Sequence, residues 1–192
     1  MKQIILILCI VLSVINGAAQ VSDTIYGKVY SSISQGRPVG TISISEKGDN
    51  NIVFADSKGV FKLVPKTNKN VYPLVITADT YEPLEYQYKS EWTQRIRPKS
   101  IVLYAPCDKT DASIDWKNKE IKVYVFSGFG PFRKTRQDRR FQRKYRLKFI
   151  PFSRELNIEC AKKYNDDIFL RLDLTYGFQW REKLRKDAIG FH

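Results

Sequence analysis

Between residues 22 and 104, apolar and polar positions alternate over short stretches separated by turn residues. Over 23–31, Ile25, Gly27 and Val29 share one face and Tyr26, Lys28 and Tyr30 the other, the two-residue period of a strand with one buried face. Gly36-Arg37-Pro38 turns the chain, and 41–45 alternates again with Ile42 and Ile44 inward. A polar turn carrying Gly48 follows. Stretches 52–55 and 60–64 then flank Asp56-Ser57-Lys58-Gly59, which predicts a tight hairpin. Two further stretches, 72–78 and 84–88, flank a turn containing Pro83, and 100–104 is a last strand ended by Pro106. Seven short strands, each with one apolar face to bury, predict a β-sandwich.

Past Pro106 the period changes. Residues 107–126 read as a connector ending in the apolar, strand-like run 121–126, and Ser127-Gly128-Phe129-Gly130-Pro131 breaks the chain. Phe141 and Tyr145, spaced i, i+4, predict a helix with a narrow apolar stripe. Tyr145, Leu147 and Phe149 then alternate as a short strand before Pro151. Over 154–176, Ile158, Ala161, Tyr164, Ile168, Leu172 and Tyr176 recur at steps of three and four, the clearest helical pattern in the chain. Ser153 or Asn157 suits its start and Gly177 its end. Residues 178–187 read as a second short helix with Trp180 and Leu184 inward. The expected fold class is α+β: an N-terminal seven-stranded β-sandwich followed by a small, basic, mostly helical C-terminal domain. The expected division is 1–19 signal peptide, 20–106 sandwich, 107–131 connector with one strand, and 132–192 basic helical domain.

The leader is read from its layout. Lys2 gives a positive start, Ile4 to Ile15 form an apolar run broken only by Ser13, and Gly17-Ala18-Ala19 offers small residues before Gln20. That is the pattern of a signal peptide cleaved after Ala19, and the run is shorter than a membrane span. An uncleaved anchor is the alternative. Export implies a periplasmic or outer-membrane-associated protein. Cys9 would leave with the leader, so Cys107 and Cys160 would remain where disulfides persist. A Cys107–Cys160 bond is one reading, and two separate buried thiols the other.

Certain residues of the first part carry a family resemblance. The order Ile25-x-Gly27-x-Val29, Gly36-x-Pro38-x-Gly40, Ile42-x-Ile44, Asp56-x-x-Gly59-x-Phe61 and Tyr81-Glu82 resembles the carboxypeptidase regulatory-like domain over about residues 22–105. The resemblance implies a transthyretin-like (prealbumin-like) sandwich and no catalytic site. Asp56 would bond its own turn backbone, Gly59 would take a positive φ, and Phe61 would enter the core. Ala55 and Thr80 depart from the family, which usually has Thr and Gly there. The second part resembles a tail found in exported bacterial proteins of unassigned function, through Phe141-x-x-Lys144-Tyr145, Cys160-x-x-x-Tyr164-Asn165, Leu172-Asp173-x-x-Tyr176-Gly177-x-x-Trp180-Arg181 and Arg185-Lys186-Asp187-x-x-Gly190. That resemblance implies a cysteine shortly after the 145–149 strand. Ser153 is nearby instead, which leaves Cys107 as the candidate partner of Cys160.

Several chemistries lack their residues. The one histidine is His192, at the end of the sequence, so no Ser-His-Asp or Cys-His device and no zinc peptidase site can be assembled. No phosphate-cradling glycine motif is present. No metal and no cofactor is expected. Paired carboxylates remain for glycoside hydrolysis, with Asp166, Asp167 and Asp173 the candidates; Asp166 and Asp173, one heptad apart, would share a helix face. A solvated polar face is the alternative.

Charge changes the picture more. The chain carries 33 Lys+Arg against 20 Asp+Glu, a formal net charge of +13. Residues 133–148 hold nine basic residues against one acid, Asp138, so +8 of that charge lies in one segment. Arg136, Arg139, Arg140 and Arg143 are therefore the candidate contacts for an anionic surface. Anionic lipid, a glycan or an envelope protein are the partners this suggests; for an exported protein nucleic acid ranks behind them. A solvated helix that keeps the protein soluble is the alternative. The expected function is non-catalytic binding or assembly in the cell envelope. Its rivals are a small carbohydrate-active hydrolase using tail carboxylates and a secreted nucleic-acid binder.

Overall fold

The computed structural model describes residues 24–89, 98–107, 111–127 and 131–191. The leader, its cleavage site, Cys9 and His192 lie outside the described residues.

Seven strands form two facing sheets. β1 (Ile25–Ser31), β4 (Val60–Leu63) and β7 (Lys99–Leu103) make one sheet in the order β4-β1-β7, with β4 antiparallel and β7 parallel to β1. β2 (Ile42–Glu46), β3 (Ile52–Phe54), β5 (Val71–Ala78) and β6 (Leu84–Lys89) make the other, fully antiparallel, in the order β3-β2-β5-β6. Inward positions of both sheets meet in one core. Ile25, Val29, Leu63 and Leu103 from the first sheet and Ile42, Ile44, Tyr72 and Ile76 from the second are fully buried. Each such side chain contributes about 1.5–3 kcal/mol by leaving water.

The tight hairpin expected over 52–64 is instead a turn that carries the chain from one sheet to the other, because β3 pairs with β2 and β4 with β1; local chemistry fixes that turn. Asp56 Oδ1 accepts hydrogen bonds from the Lys58 and Val60 amides at 2.8 and 2.9 Å. Gly59 takes φ +79°, and a Cβ there would lie 2.6 Å from the Val29 carbonyl oxygen. Phe61 then turns into the core beside Gly27, where a Cβ would meet its ring at 2.6 Å. A glycine at 27 is what lets that ring lie against β1.

The chain after the sandwich builds a second core. α1 (Ala112–Asn118) is capped by Asp111, whose side chain accepts from the Ser113 and Ile114 amides. β8 (Lys122–Val125) and β9 (Lys148–Pro151) pair in parallel, and α2 (Arg136–Tyr145) connects them. α3 (Ile158–Tyr176) and a 3₁₀ helix (Phe178–Lys183) close the unit. Val123, Val125, Tyr164, Ile168, Leu172 and Trp180 form the centre of this core. Asn165, fully buried in it, accepts from the Tyr124 amide and donates to the Tyr124 and Ile189 carbonyls, so its amide is satisfied and locks α3 to β8.

Two further expectations need correcting. The connector expected over 107–131 carries α1 as well as a strand, and Ala112, Ile121 and Val123 belong to the second core. The unit starting at 132 therefore cannot be divided from what precedes it, because β9 finds its partner in β8. The second short helix expected over 178–187 is a 3₁₀ helix that ends earlier, at Lys183, since the backbone at Leu184 is extended. Of the two residues suited to the start of α3, Asn157 is the cap: its side chain accepts from the Glu159 amide.

The two units meet at the N-terminal end of α3. Glu159 accepts from Ser34 at 2.8 Å and also from Ser31. Asn157 donates to the Thr80 carbonyl at 3.4 Å. Tyr81, of the Tyr81-Glu82 pair, is buried at the same joint, where its hydroxyl accepts from the Val39 amide. Beside these contacts Cys107 is bonded to Cys160, with Cα atoms 5.3 Å apart.

Candidate functional site

α2 is built to present charge. Thr135 and Asp138 form a capping box, each side chain accepting from the other's amide, which fixes where the helix starts. From that start, Phe141 and Tyr145 face the core, and their rings lie 4.6 Å apart. At 100° per residue, Arg139, Arg143, Arg136, Arg140 and Lys144 fall within an arc of about 140° on the opposite side. All five are exposed. Among the described residues none of the five has a carboxylate within ion-pair distance; Arg139 and Arg143 bond only backbone carbonyls.

The one acid of the basic segment is withdrawn from that face. Asp138 is buried and pairs with Arg185 at 3.0 Å. Arg185 also holds Asp187 through two hydrogen bonds, at 2.8 and 2.7 Å, and lies over the Phe132 ring at 4.9 Å. Apart from Gln137, the exposed side chains of α2 are therefore all cationic, which the segment's net charge alone does not reveal.

A cleft of about 450 Å³ opens beside this face. Arg136, Arg140 and Lys144 line it from α2 and Lys183 from the 3₁₀ helix, over Phe141 and Tyr145. The three α2 cations stand one above another at steps of four residues, about 6 Å of rise each, so their row is about 12 Å long. Lys183 was not a candidate from sequence. Its place depends on how the chain folds back after Gly177, and no local pattern carries that.

The candidate carboxylates are placed otherwise. Asp173 accepts from Arg181 Nε at 3.0 Å and Nη2 at 2.6 Å, and from Trp180 Nε1 at 3.0 Å. These bonds, Arg181 foremost, hold its carboxyl below the usual carboxylate range, the opposite of what a general acid requires. Asp166 pairs with Lys162 at 2.6 Å, one turn away. Asp167 lines a different, polar cleft with Asp111, Lys163 and Tyr164 beside the disulfide. The structure does not bring these three acids into one site. Nearby, Tyr164 donates to Asp115 at 2.8 Å, and Asp115 also takes Lys122 Nζ at 2.9 Å. Burial, together with the Asp115 carboxylate, pushes the Tyr164 hydroxyl well above its ordinary pKa, so it stays protonated as a donor. No group of three His, Cys, Asp or Glu among the described residues could hold a metal ion, and no described helix is long and apolar enough to cross a membrane.

No protein-family model and no curated protein matches the chain. Among solved structures, it is similar to a chain of a type II cohesin–X-dockerin complex from Acetivibrio cellulolyticus, an N-terminal interface mutant. The two are 16% identical, with a TM-score of 0.36, over 58% of this chain and 80% of that one. A likeness at that level carries no argument about fold or function.

Proposed function

We propose that this chain is a non-catalytic, exported module of the cell envelope that acts by binding or assembly. The sandwich, of the carboxypeptidase regulatory-like, transthyretin-like type, is the scaffold, and the basic face of α2 is the contact surface. The mature protein works in the periplasm or against the outer membrane.

One observation carries this reading. Five exposed cations share one face of a ten-residue helix with no acid paired to any of them among the described residues. Arg136 with Arg140, Arg139 with Arg143, and Arg140 with Lys144 are like-charge i, i+4 pairs, each costing about 0.2–0.5 kcal/mol in an isolated helix. A fold that turns its one nearby acid inward and leaves these repulsions standing is arranged for an anionic partner, which would offset them. The hydrolase reading gains nothing from Asp173, whose carboxylate is committed to Arg181 and Trp180.

The test is a vesicle flotation assay at low salt. Changing Arg136, Arg139, Arg140 and Arg143 together to Gln should abolish recovery with anionic vesicles and leave the melt equal or slightly higher, since three repulsive pairs are relieved. Equal recovery of both forms would return α2 to a merely solvated helix.

A further inference from the structure

The cleft beside α2 has apolar neighbours that a purely electrostatic surface does not need. The Tyr145 ring on its floor meets the Tyr176 ring edge-on at 5.1 Å, which sets the end of α3 against one residue of the cleft lining. Tyr176 is 44% exposed, and Phe178, two residues on, is 71% exposed. Phe178 opens the same 3₁₀ helix that carries Lys183 into the cleft.

Resting on the binding reading above, we propose that this corner of the molecule docks on anionic phospholipid, with lipid phosphates in the cleft and Tyr176 and Phe178 in the headgroup layer. Arg136, Arg140, Lys144 and Lys183 supply charge from two elements, and the exposed rings supply the apolar contact that interfacial binding adds to electrostatic attraction. The alternatives fit less well. Phe141 and Tyr145 are only 4% and 3% exposed, so the cleft floor offers no ring face on which a base or a sugar could stack. Phosphate groups need only the cations, whereas the Phe178 ring, with the Arg181 guanidinium 6.0 Å from its centre, leaves most of its surface in water until an apolar layer covers it.

Cosedimentation of the full mature chain with phosphatidylglycerol–phosphatidylcholine vesicles, against phosphatidylcholine alone, tests this. Phe178→Ala should weaken binding to the anionic vesicles about tenfold and Phe178→Leu should restore it. Lys183→Gln should weaken it about fivefold, the loss of one cation near a charged surface. All three melts should match the original, because both side chains are exposed. Wild-type affinity in Phe178→Ala, with binding lost in the four-arginine variant, would overturn the seating of Phe178 in the headgroup layer, and with it this proposal, and leave the basic face standing. Undiminished binding in the four-arginine variant would overturn both. Tighter binding to a soluble polyuronate or to single-stranded DNA than to the vesicles, indifferent to Phe178→Ala, would assign the cleft to a polyanion and likewise overturn it.

Discussion

Ser34, in the turn after β1, donates a hydrogen bond to Glu159 of α3 at 2.8 Å, across 125 residues of chain. The same carboxylate takes Ser31, and one residue on, Cys160 is bonded to Cys107. The joint between the two units thus gathers on one turn of α3.

The disulfide should dominate that joint. It closes a loop of 53 residues, which in the chain-entropy model stabilises by about 4 kcal/mol. Changing both cysteines to serine should lower the urea midpoint accordingly, and the unreduced, denatured wild-type protein should take up no alkylating reagent at Cys107 or Cys160. Two alkylated thiols in that sample would contradict the bond.

Thr80 offers a gain. Its backbone sits at φ +61°, a left-handed conformation that a β-branched residue adopts only under strain. Its carbonyl still accepts from Asn157, so the turn is held by the joint. Thr80→Gly should relieve the strain and raise stability by about 1 kcal/mol after the entropy cost of glycine. A lowered melting temperature would show that the threonine side chain contributes more than its backbone costs.

Acid should unfold the second unit through its paired carboxylates. Arg181 lowers the Asp173 pKa, and Arg185 lowers that of Asp187. A group whose folded pKa is depressed adds stability above its unfolded pKa and loses it as pH falls through the folded value. Unfolding free energy should therefore hold from neutral pH to about pH 5 and fall below it. Asp173→Asn should lose stability at neutral pH and flatten part of the acid limb. An unchanged acid limb in that variant would mean the pair contributes nothing.

How much of this was readable from sequence depends on the range of the interaction concerned. The alternation Ile25, Gly27, Val29 marks a face of β1 that is buried, and the three-and-four steps through Ile168 and Leu172 mark the buried face of α3. Asp56 acts within one turn, so its role follows from its neighbours, whereas Gly59 and Phe61 also answer to Val29 and Gly27 of β1. α1 escaped because a seven-residue helix burying only Ala112 has no stripe to detect, although Asp111 before it is a cap signal. The parallel β8–β9 pair escaped because its strands are separated by a helix and neither shows its partner in its own pattern. The arginines of α2 were visible as charge. That Asp138 turns away to Arg185, and that Lys183 completes a cleft with them, are tertiary facts.

The measurement that bears most directly on the account is the affinity of the mature protein for anionic vesicles as ionic strength rises, with the four-arginine variant alongside. If the basic face of α2 is the contact surface, wild-type affinity falls steeply with salt, while the variant starts weak and changes little. Affinities that coincide at every salt concentration would contradict it.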